Sequence, residues 1–151
     1  MNYWLMKSEP EVYSITDLQQ QSETIWDGIR NYQARNFLRQ MDEGDLAFFY
    51  HSNTNFPGIA GLMRVVKKDI VDPTQFEAKS KYYDPKSSAK SPRWQTVVVE
   101  FVETFSNSIL LSTLKEKFTA EELMVVRQGN RLSVMPIPEV VALKILAMKI
   151  S

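Results

Sequence analysis

The sequence of 151 residues predicts a single α+β domain. Segments in which apolar residues alternate or are β-branched predict strands at 2–8, 45–51, 59–66 and 95–105. Other segments place apolar residues at helical spacing, or a Ser or Thr three residues before an acid, and these predict helices. No internal repeat, low-complexity tract or linker divides the chain, so residues 1–151 are expected to form one domain.

The predicted strands differ in their surroundings. Bulky apolar residues occupy both faces of 2–8, which is typical of a central strand buried on both sides. A short polar loop joins 45–51 to 59–66, which predicts an antiparallel hairpin, with a bulge or a close backbone approach at Gly61. A further short strand is expected at 132–135.

Five segments favour helices. Ser14, Thr113 and Thr119 each precede an acid by three residues, and this capping-box spacing predicts short helices at these positions. The apolar residues of 32–41 recur at helical spacing and predict a longer helix. Pro138 is expected at the first position of a final helix, where its missing N–H costs little.

The composition excludes several kinds of chemistry. The chain has no cysteine and a single histidine, His51, which excludes disulfides, thiol catalysis, and thiolate or histidine-cluster metal sites. Ser52 lies on the opposite strand face from His51, and no nucleophile elbow, dinucleotide motif or P-loop is present. We therefore expect no enzyme, no metal and no cofactor.

The charge balance restricts how the protein can bind nucleic acid. Eighteen Lys and Arg residues balance 18 Asp and Glu residues, so any such affinity must come from a local patch. Neither a cationic leader with an apolar core nor an apolar run long enough for a bilayer is visible. A cytoplasmic location without membrane contact is therefore expected.

Residues 25–36 hold the densest group of candidate binding side chains. Aromatic rings stack on planar heterocycles, amides pair with base edges, and guanidinium groups bind phosphate. An alternative interpretation is a buried tryptophan before a turn at Gly28, followed by a helix with a solvated polar face. The candidates in this segment are Trp26, Asn31, Tyr32, Arg35 and Asn36.

Two other segments add candidate binding residues. Residues 72–92 predict a long surface loop whose cations could neutralise a nucleic-acid backbone, although a solvated Lys-rich loop is the alternative. The backbone candidates are Lys79, Lys81, Lys86, Lys90 and Arg93, and the remaining ligand candidates are Lys7, Ser8, Tyr50, His51, Ser52 and Trp94.

Six motifs resemble those of the EVE domain family, in the same order and across nearly the whole chain. They are YWLMKSEP (3–10), WDGIRNYQARN (26–36), GDLAFFYHSN (44–53), PGIAGLMRVV (57–66), YYDPKSS (82–88) and QGNRLSV (128–134). The resemblance implies a PUA-like fold, a mixed and strongly curved β-barrel with helices packed around it. It also implies kinship with the YTH and SRA readers of modified bases, and binding of modified cytosines in DNA.

A more distant likeness to YTH domains implies an aromatic cage. The first cage tryptophan of that family corresponds in pattern to Trp26, and a second one corresponds to Trp94. The third position has no obvious tryptophan, so Tyr32, Tyr50 or Tyr83 is a candidate for it.

These observations lead to one hypothesis with two alternatives. The chain is expected to bind nucleic acid carrying a modified base, DNA in preference to RNA, and to hold a flipped-out modified cytosine in an aromatic pocket. Trp26 would stack on the base, and Asn31, Ser8 and His51 would read its polar edge. The alternatives are an RNA-binding PUA-like module, and an enzyme or small-molecule-binding protein acting on a free nucleoside or another planar metabolite.

Overall fold

The structure is a computed structural model that describes residues 1–149. The strands are β1 (Tyr3–Ser8), β2 (Glu23–Ile25), β3 (Leu46–His51), β4 (Gly58–Val71), β5 (Gln95–Leu110) and β6 (Val134–Ile137). The α-helices are α1 (Ile15–Gln21), α2 (Tyr32–Gln40), α3 (Leu111–Lys117) and α4 (Glu139–Met148). Short 3₁₀-helices cover Pro73–Phe76 and Met124–Val126.

The six strands form one sheet in the order β2-β5-β4-β3-β1-β6. The pair β1–β3 is parallel, and the other neighbouring pairs are antiparallel. In the described part of the chain the sheet is open, with β2 and β6 at its edges, so the closed barrel implied by the resemblance is not formed. Register shifts between β4 and β5 increase the local twist and bend of these two long strands.

Apolar side chains cover both faces of the sheet. On one face Trp4 and Met6 pack in a core with residues of α1 and α2. On the other face Leu5 and Phe48 pack in a second core with residues of α3 and α4. The prediction that β1 is central and buried on both sides is therefore confirmed.

The helix predictions hold for the first half of the chain and fail in part for the second half. Ser14 and Asp17 form the expected reciprocal capping box at the start of α1. By contrast, α3 begins at Leu111, before Thr113, and has no side-chain cap. Thr119 exchanges the expected hydrogen bonds with Glu122, but these bonds close a turn rather than start an α-helix.

Several element boundaries also differ from those expected. Pro138 is the N-cap of α4 rather than its first residue, and β6 lies at 134–137 instead of 132–135. Both β4 and β5 extend well past their apolar segments, because pairing with each other satisfies their backbone groups where one face meets solvent. None of the helices described is long and apolar enough to cross a bilayer.

Gly61 allows two strands and a helix to approach closely. A Cβ atom at this position would lie 2.4 Å from the carbonyl oxygen of Glu103 and 2.8 Å from the side chain of Ile15. The register of β4 against β5 also shifts between Ile59 and Gly61. The predicted bulge and close approach are therefore confirmed.

The topology brings several chain segments to one edge of the sheet. Because β1 and β3 are parallel, their last residues, Ser8 and His51, lie side by side. The segment that follows β2 begins with Trp26, whose backbone N–H donates to the carbonyl of Val97 in β5 at 2.9 Å. Polar and aromatic side chains are thereby concentrated where these strands end.

Candidate functional site

A cavity of about 640 Å³ opens where β1, β2 and β3 end. This volume lies within the range of small-molecule and nucleobase sites. The cavity is lined by Lys7, Ser8, Glu9, Val12, Tyr13, Gln21, Thr24, Ile25, Trp26, Asp27, Gly28, Ile29, Ser52, Tyr82, Arg131 and Ser133.

Trp26, Tyr82 and Tyr13 provide the aromatic surfaces of the cavity. Trp26 is 6% exposed, and its ring meets Phe49 edge to face with the ring centroids 5.5 Å apart. Tyr82 lies over Gly28, where a Cβ atom would be 2.7 Å from the tyrosine ring. Gly28 also has φ of +84°, a conformation that other residues rarely adopt. The backbone conformation therefore favours glycine there, and a Cβ atom would in addition displace the Tyr82 ring.

The polar groups of the cavity differ in how far they are already engaged. The Ser8 hydroxyl donates to the carbonyl of Tyr13 at 2.6 Å, so it can only accept from a ligand. Glu9 accepts from the Asn53 side-chain amide at 2.6 Å. Asp27 is exposed at the rim, and the loss of solvent on one side, with the nearby Asp72 carboxylate, raises the pKa of Asp27. Asp27 is therefore the carboxylate best placed to meet a ligand.

Lys7 and Arg131 bring positive charge to the same cavity. The Lys7 ammonium lies 5.8 Å from the ring centroid of Tyr50, and burial lowers the pKa of Lys7. In residues 1–149 no group of three or more His, Asp or Glu side chains is arranged to hold a metal ion. The cavity thus offers aromatic surfaces, two exposed carboxylates, of which Glu9 already accepts from Asn53 through Oε1, and two cations.

The buried carboxylate of Asp72 holds the wall of the cavity in place. Asp72 is 1% exposed, and its Oδ2 accepts from the backbone N–H of Gly28 at 2.8 Å and from Arg30 at 3.0 Å. The Arg30 Nε also donates to the carbonyl of Tyr82 at 2.9 Å. One ion pair therefore connects the segment that carries Trp26 to the loop that carries Tyr82.

Gln75 holds the same loop from inside. Its side chain is fully buried, and its Nε2 donates to the carbonyls of Asp72 and Trp94 at 2.7 and 2.9 Å. Its Oε1 accepts from the Ser87 hydroxyl at 2.6 Å. The predicted loop thus lies on the surface, but it is pinned by buried hydrogen bonds at its base.

The predicted backbone-binding cations remain on the surface. Lys79, Lys81, Lys86 and Lys90 are exposed, and Lys81 lies 5.1 Å from the ring centroid of Tyr82. Within the described range none of the four forms a salt bridge. Their role in binding stays a prediction.

Trp94 and Tyr32 form an aromatic cluster separate from the cavity. Their rings stack with centroids 4.8 Å apart at 16°, and the guanidinium of Arg35 lies 4.6 Å from the Tyr32 centroid. Arg93 donates to the Tyr32 hydroxyl at 3.3 Å, and the Trp94 indole donates to Asp84 at 2.8 Å. None of Trp94, Tyr32 and Arg35 lines the cavity. In this structure Trp94 therefore does not line the cavity with Trp26, and a shared role of the two tryptophans in ligand binding stays a prediction.

Four further candidates have structural partners outside the cavity. Tyr50 is 2% exposed and packs in the core of the opposite sheet face. His51 accepts from the backbone N–H of Ile15 through Nε2 at 3.2 Å. The Asn31 side chain caps α2 by accepting from the N–H of Ala34 at 2.9 Å, and the Asn36 side chain accepts from Arg35. Of the predicted ligand residues, the structure brings together Lys7, Ser8, Trp26 and Ser52.

Sequence reasoning missed twelve of the sixteen lining residues, and four of these carry polar or aromatic groups that a ligand could meet: Asp27, Tyr82, Tyr13 and Arg131. Asp27 directly follows Trp26, and Tyr82 lies in the basic aromatic loop, so their surroundings contained a signal. Tyr13 and Arg131 are brought to the cavity by the fold, and no pattern in the sequence indicates their position. The physical reason is that turns, unlike strands and helices, have no period that fixes the direction of a side chain.

The fold and cavity define an α+β protein with a base-sized site at the ends of central strands. The EVE domain model matches residues 2–148, and the chain belongs to the EVE domain family. Thymocyte nuclear protein 1 from Homo sapiens is 46% identical over 156 residues, a match that covers 91% of this chain and 69% of the relative.

Solved structures agree with this assignment. A protein from Pseudomonas syringae has a TM-score of 0.94 and 47% identity, with 98% of this chain and 99% of that chain covered. The human THYN1 protein, in complex with DNA containing 5-methylcytosine, has a TM-score of 0.93 and 43% identity. The match covers 100% of this chain and 99% of that chain. The YTH domain-containing protein mmi1, solved with RNA, shares the fold alone, with a TM-score of 0.53 and 12% identity. That match covers 98% of this chain and 80% of that chain. The PUA-like α+β fold is confirmed, with an open sheet.

The Asp72→Ala variant is expected to lose about 3 kcal/mol of stability, because Arg30 and the Gly28 N–H lose a buried charged partner. The free energy of unfolding in urea measures this loss. Glu77→Ala, which removes an exposed carboxylate just after the 3₁₀-helix, is the matched control and should change stability by less than about 0.5 kcal/mol. Equal losses in the two variants would contradict the role given to Asp72.

His51 makes stability depend on pH. Its Nε2 accepts the Ile15 N–H only when the ring is neutral, and burial lowers the pKa of His51. The unfolded chain therefore binds the proton at a higher pH than the folded chain. The contribution of His51 is full above about pH 6.5 and is lost as the pH falls through the folded pKa.

Because His51 is the only histidine, His51→Gln should remove this part of the pH dependence. Urea unfolding at about pH 7.5 and about pH 5.5 tests it, since the carboxyl contributions are common to both proteins. A variant that loses as much stability as the parent between these two values would refute the assignment.

Proposed function

We propose that this chain binds DNA that contains a modified cytosine and holds the flipped-out base in the cavity lined by Trp26 and Tyr82. The observation that carries the proposal is the match to the human THYN1 protein in complex with DNA containing 5-methylcytosine, at a TM-score of 0.93 over 100% of this chain. The cavity chemistry supports the same conclusion independently.

The aromatic surfaces suit a planar heterocycle. Trp26 is fixed by its backbone hydrogen bond to Val97 and by its edge contact with Phe49. The backbone of Tyr82 is fixed because Arg30 donates a hydrogen bond to the Tyr82 carbonyl. Stacking on such a ring contributes about 1–3 kcal/mol per base, and it needs little reorganisation when the ring is already held in place.

The polar groups favour a base that carries an exocyclic amine. The amine of cytosine is a hydrogen-bond donor, and carboxylates accept from it in protein–DNA complexes. Asp27 is an exposed carboxylate of the cavity without a side-chain partner among the described residues, and the Ser8 hydroxyl, whose proton is committed to Tyr13, can also only accept. Acceptors of this kind can pair with the protons of an amino group.

A concave site of this kind requires extrusion of the base. The target edge of a stacked base cannot enter a cavity, so the nucleotide must rotate out of the helix at a cost of a few kcal/mol. Stacking and hydrogen bonds in the cavity are of sufficient size to offset this cost. The contacts of a substituent at carbon 5 of cytosine then determine how much more tightly the modified base binds than the unmodified one.

We further propose that the activity is binding rather than catalysis. The two carboxylates that line the cavity are Glu9 and Asp27, and Glu9 is already held by Asn53. The Ser8 hydroxyl donates to a backbone carbonyl, and the neighbouring His51 already accepts the Ile15 N–H through Nε2. This arrangement lacks an acid–base pair and an activated nucleophile.

Binding of matched oligonucleotides tests the proposal. DNA carrying 5-methylcytosine or 5-hydroxymethylcytosine should bind about ten- to a hundredfold more tightly than DNA carrying cytosine, because burial of the added group contributes about 1–3 kcal/mol. The panel includes duplexes, single strands, the corresponding RNA and the free nucleosides. Equal affinity across the cytosine series contradicts the proposal, and a clear preference for RNA or free nucleosides favours one of the two alternatives.

Tyr82→Ala is expected to weaken binding of 5-methylcytosine DNA by about tenfold or more, because one stacking surface is lost. The matched control is Tyr83→Ala, since Tyr83 is 43% exposed and does not line the cavity. Trp26 is a poorer probe, because truncation of a tryptophan that packs against Phe49 would cost about 3–5 kcal/mol of stability. If Tyr82→Ala and Tyr83→Ala bind equally well, Tyr82 is not part of the base site.

A further inference from the structure

A second cleft adjoins the cavity. Its volume is about 310 Å³, and it lies between the start of α2 and the turn at 124–132. Its polar lining is Asn31, Gln33, Arg127, Asn130 and Arg131. Arg131 lines the large cavity as well, so the two spaces share a wall.

The charge of the cleft has one sign. Two arginines line it and no Asp or Glu does. In residues 1–149 neither Arg127 nor Arg131 forms a salt bridge. In a chain whose net charge is zero, such a site attracts an anion locally rather than through the field of the whole protein. Arginine forms two parallel hydrogen bonds with phosphate, and phosphate is therefore the anion that best fits this cleft.

The turn that carries the two arginines is held in a defined shape. The Asn130 Oδ1 accepts from the N–H of Leu132 at 2.9 Å, and the Asn130 N–H donates to the carbonyl of Arg127 at 3.1 Å. The N–H of Arg127 donates to the carbonyl of Met124 at 3.0 Å. The arginines therefore project from a preformed turn, which lowers the cost of ordering them around a ligand.

We infer that this cleft binds a backbone phosphate next to the extruded nucleotide, so that the nucleic-acid strand leaves the cavity over Arg131 and Arg127. The inference rests on the proposed function. It gives the segment 128–134 a role in binding, and it adds a phosphate contact on a chain segment other than the Lys-rich loop expected from the sequence. Arg131, at the shared wall, would meet the ligand first, and Arg127 would be contacted only through the backbone.

The variant Arg127→Ala tests the inference because Arg127 lines the second cleft and not the cavity. For an oligonucleotide carrying 5-methylcytosine, the affinity at low salt should fall about tenfold, and the log–log salt slope should decrease by about one. Binding of the free nucleoside should not change. Arg127→Lys, which keeps the charge, should restore most of the salt slope.

The control is Lys144→Ala, which removes an exposed cation from α4 on the other face of the sheet. Nucleoside 5′- and 3′-monophosphates distinguish the source of the phosphate. If Arg127→Ala also loses affinity for one monophosphate, the contact is with the phosphate of the extruded nucleotide itself. If it loses affinity only for the oligonucleotide, the contact is with the phosphate of a neighbouring nucleotide.

Two results would overturn the inference, and they are distinguishable. If Arg127→Ala keeps the parent's affinity and salt slope while the parent still prefers modified cytosine, the cleft is not a phosphate site and the proposed function stands. If the parent protein binds the nucleoside but no oligonucleotide, both the phosphate site and the DNA-binding proposal are wrong.

Discussion

The buried carboxylate of Asp72 is the interaction on which the site depends. A charge removed from water must be compensated, and Asp72 is compensated by Arg30, by the Gly28 N–H and by two donors of Thr74. These partners come from two segments far apart in the chain, so satisfying the charge also fixes the wall of the cavity. The position of Tyr82 follows from this, since Arg30 also holds the Tyr82 carbonyl.

The sheet supplies a rigid base for this arrangement. Apolar cores on both faces hold the central strands, and the functional side chains emerge from their ends and from the loops that follow. The aromatic side chains of the cavity and those of the Trp94–Tyr32 cluster therefore have different roles. Trp26 lines an open cavity, whereas Trp94 stacks on Tyr32 and hydrogen-bonds to Asp84, which stabilises the base of the long loop.

A chain of zero net charge can bind a polyanion only where its cations are grouped away from acids. Among the described residues, the exposed lysines of the long loop form one such region and the arginines of the turn at 124–132 form another. They lie on separate segments, and each would contribute its own salt-dependent contacts. The cytoplasmic location expected from the sequence stays a prediction.

The sequence by itself determined the α+β class, the central position of β1, the capping box of α1 and the family. These features depend on local periodicity, on short-range hydrogen bonds or on long contiguous motifs. Only the tertiary structure decided which aromatic side chains, Tyr82 and Tyr13, join Trp26 in the cavity. Tyr32, Tyr50 and Tyr83 offered the same ring as Tyr82, and the difference between them lies in long-range contacts that leave no local pattern, such as that of Arg30 with Asp72.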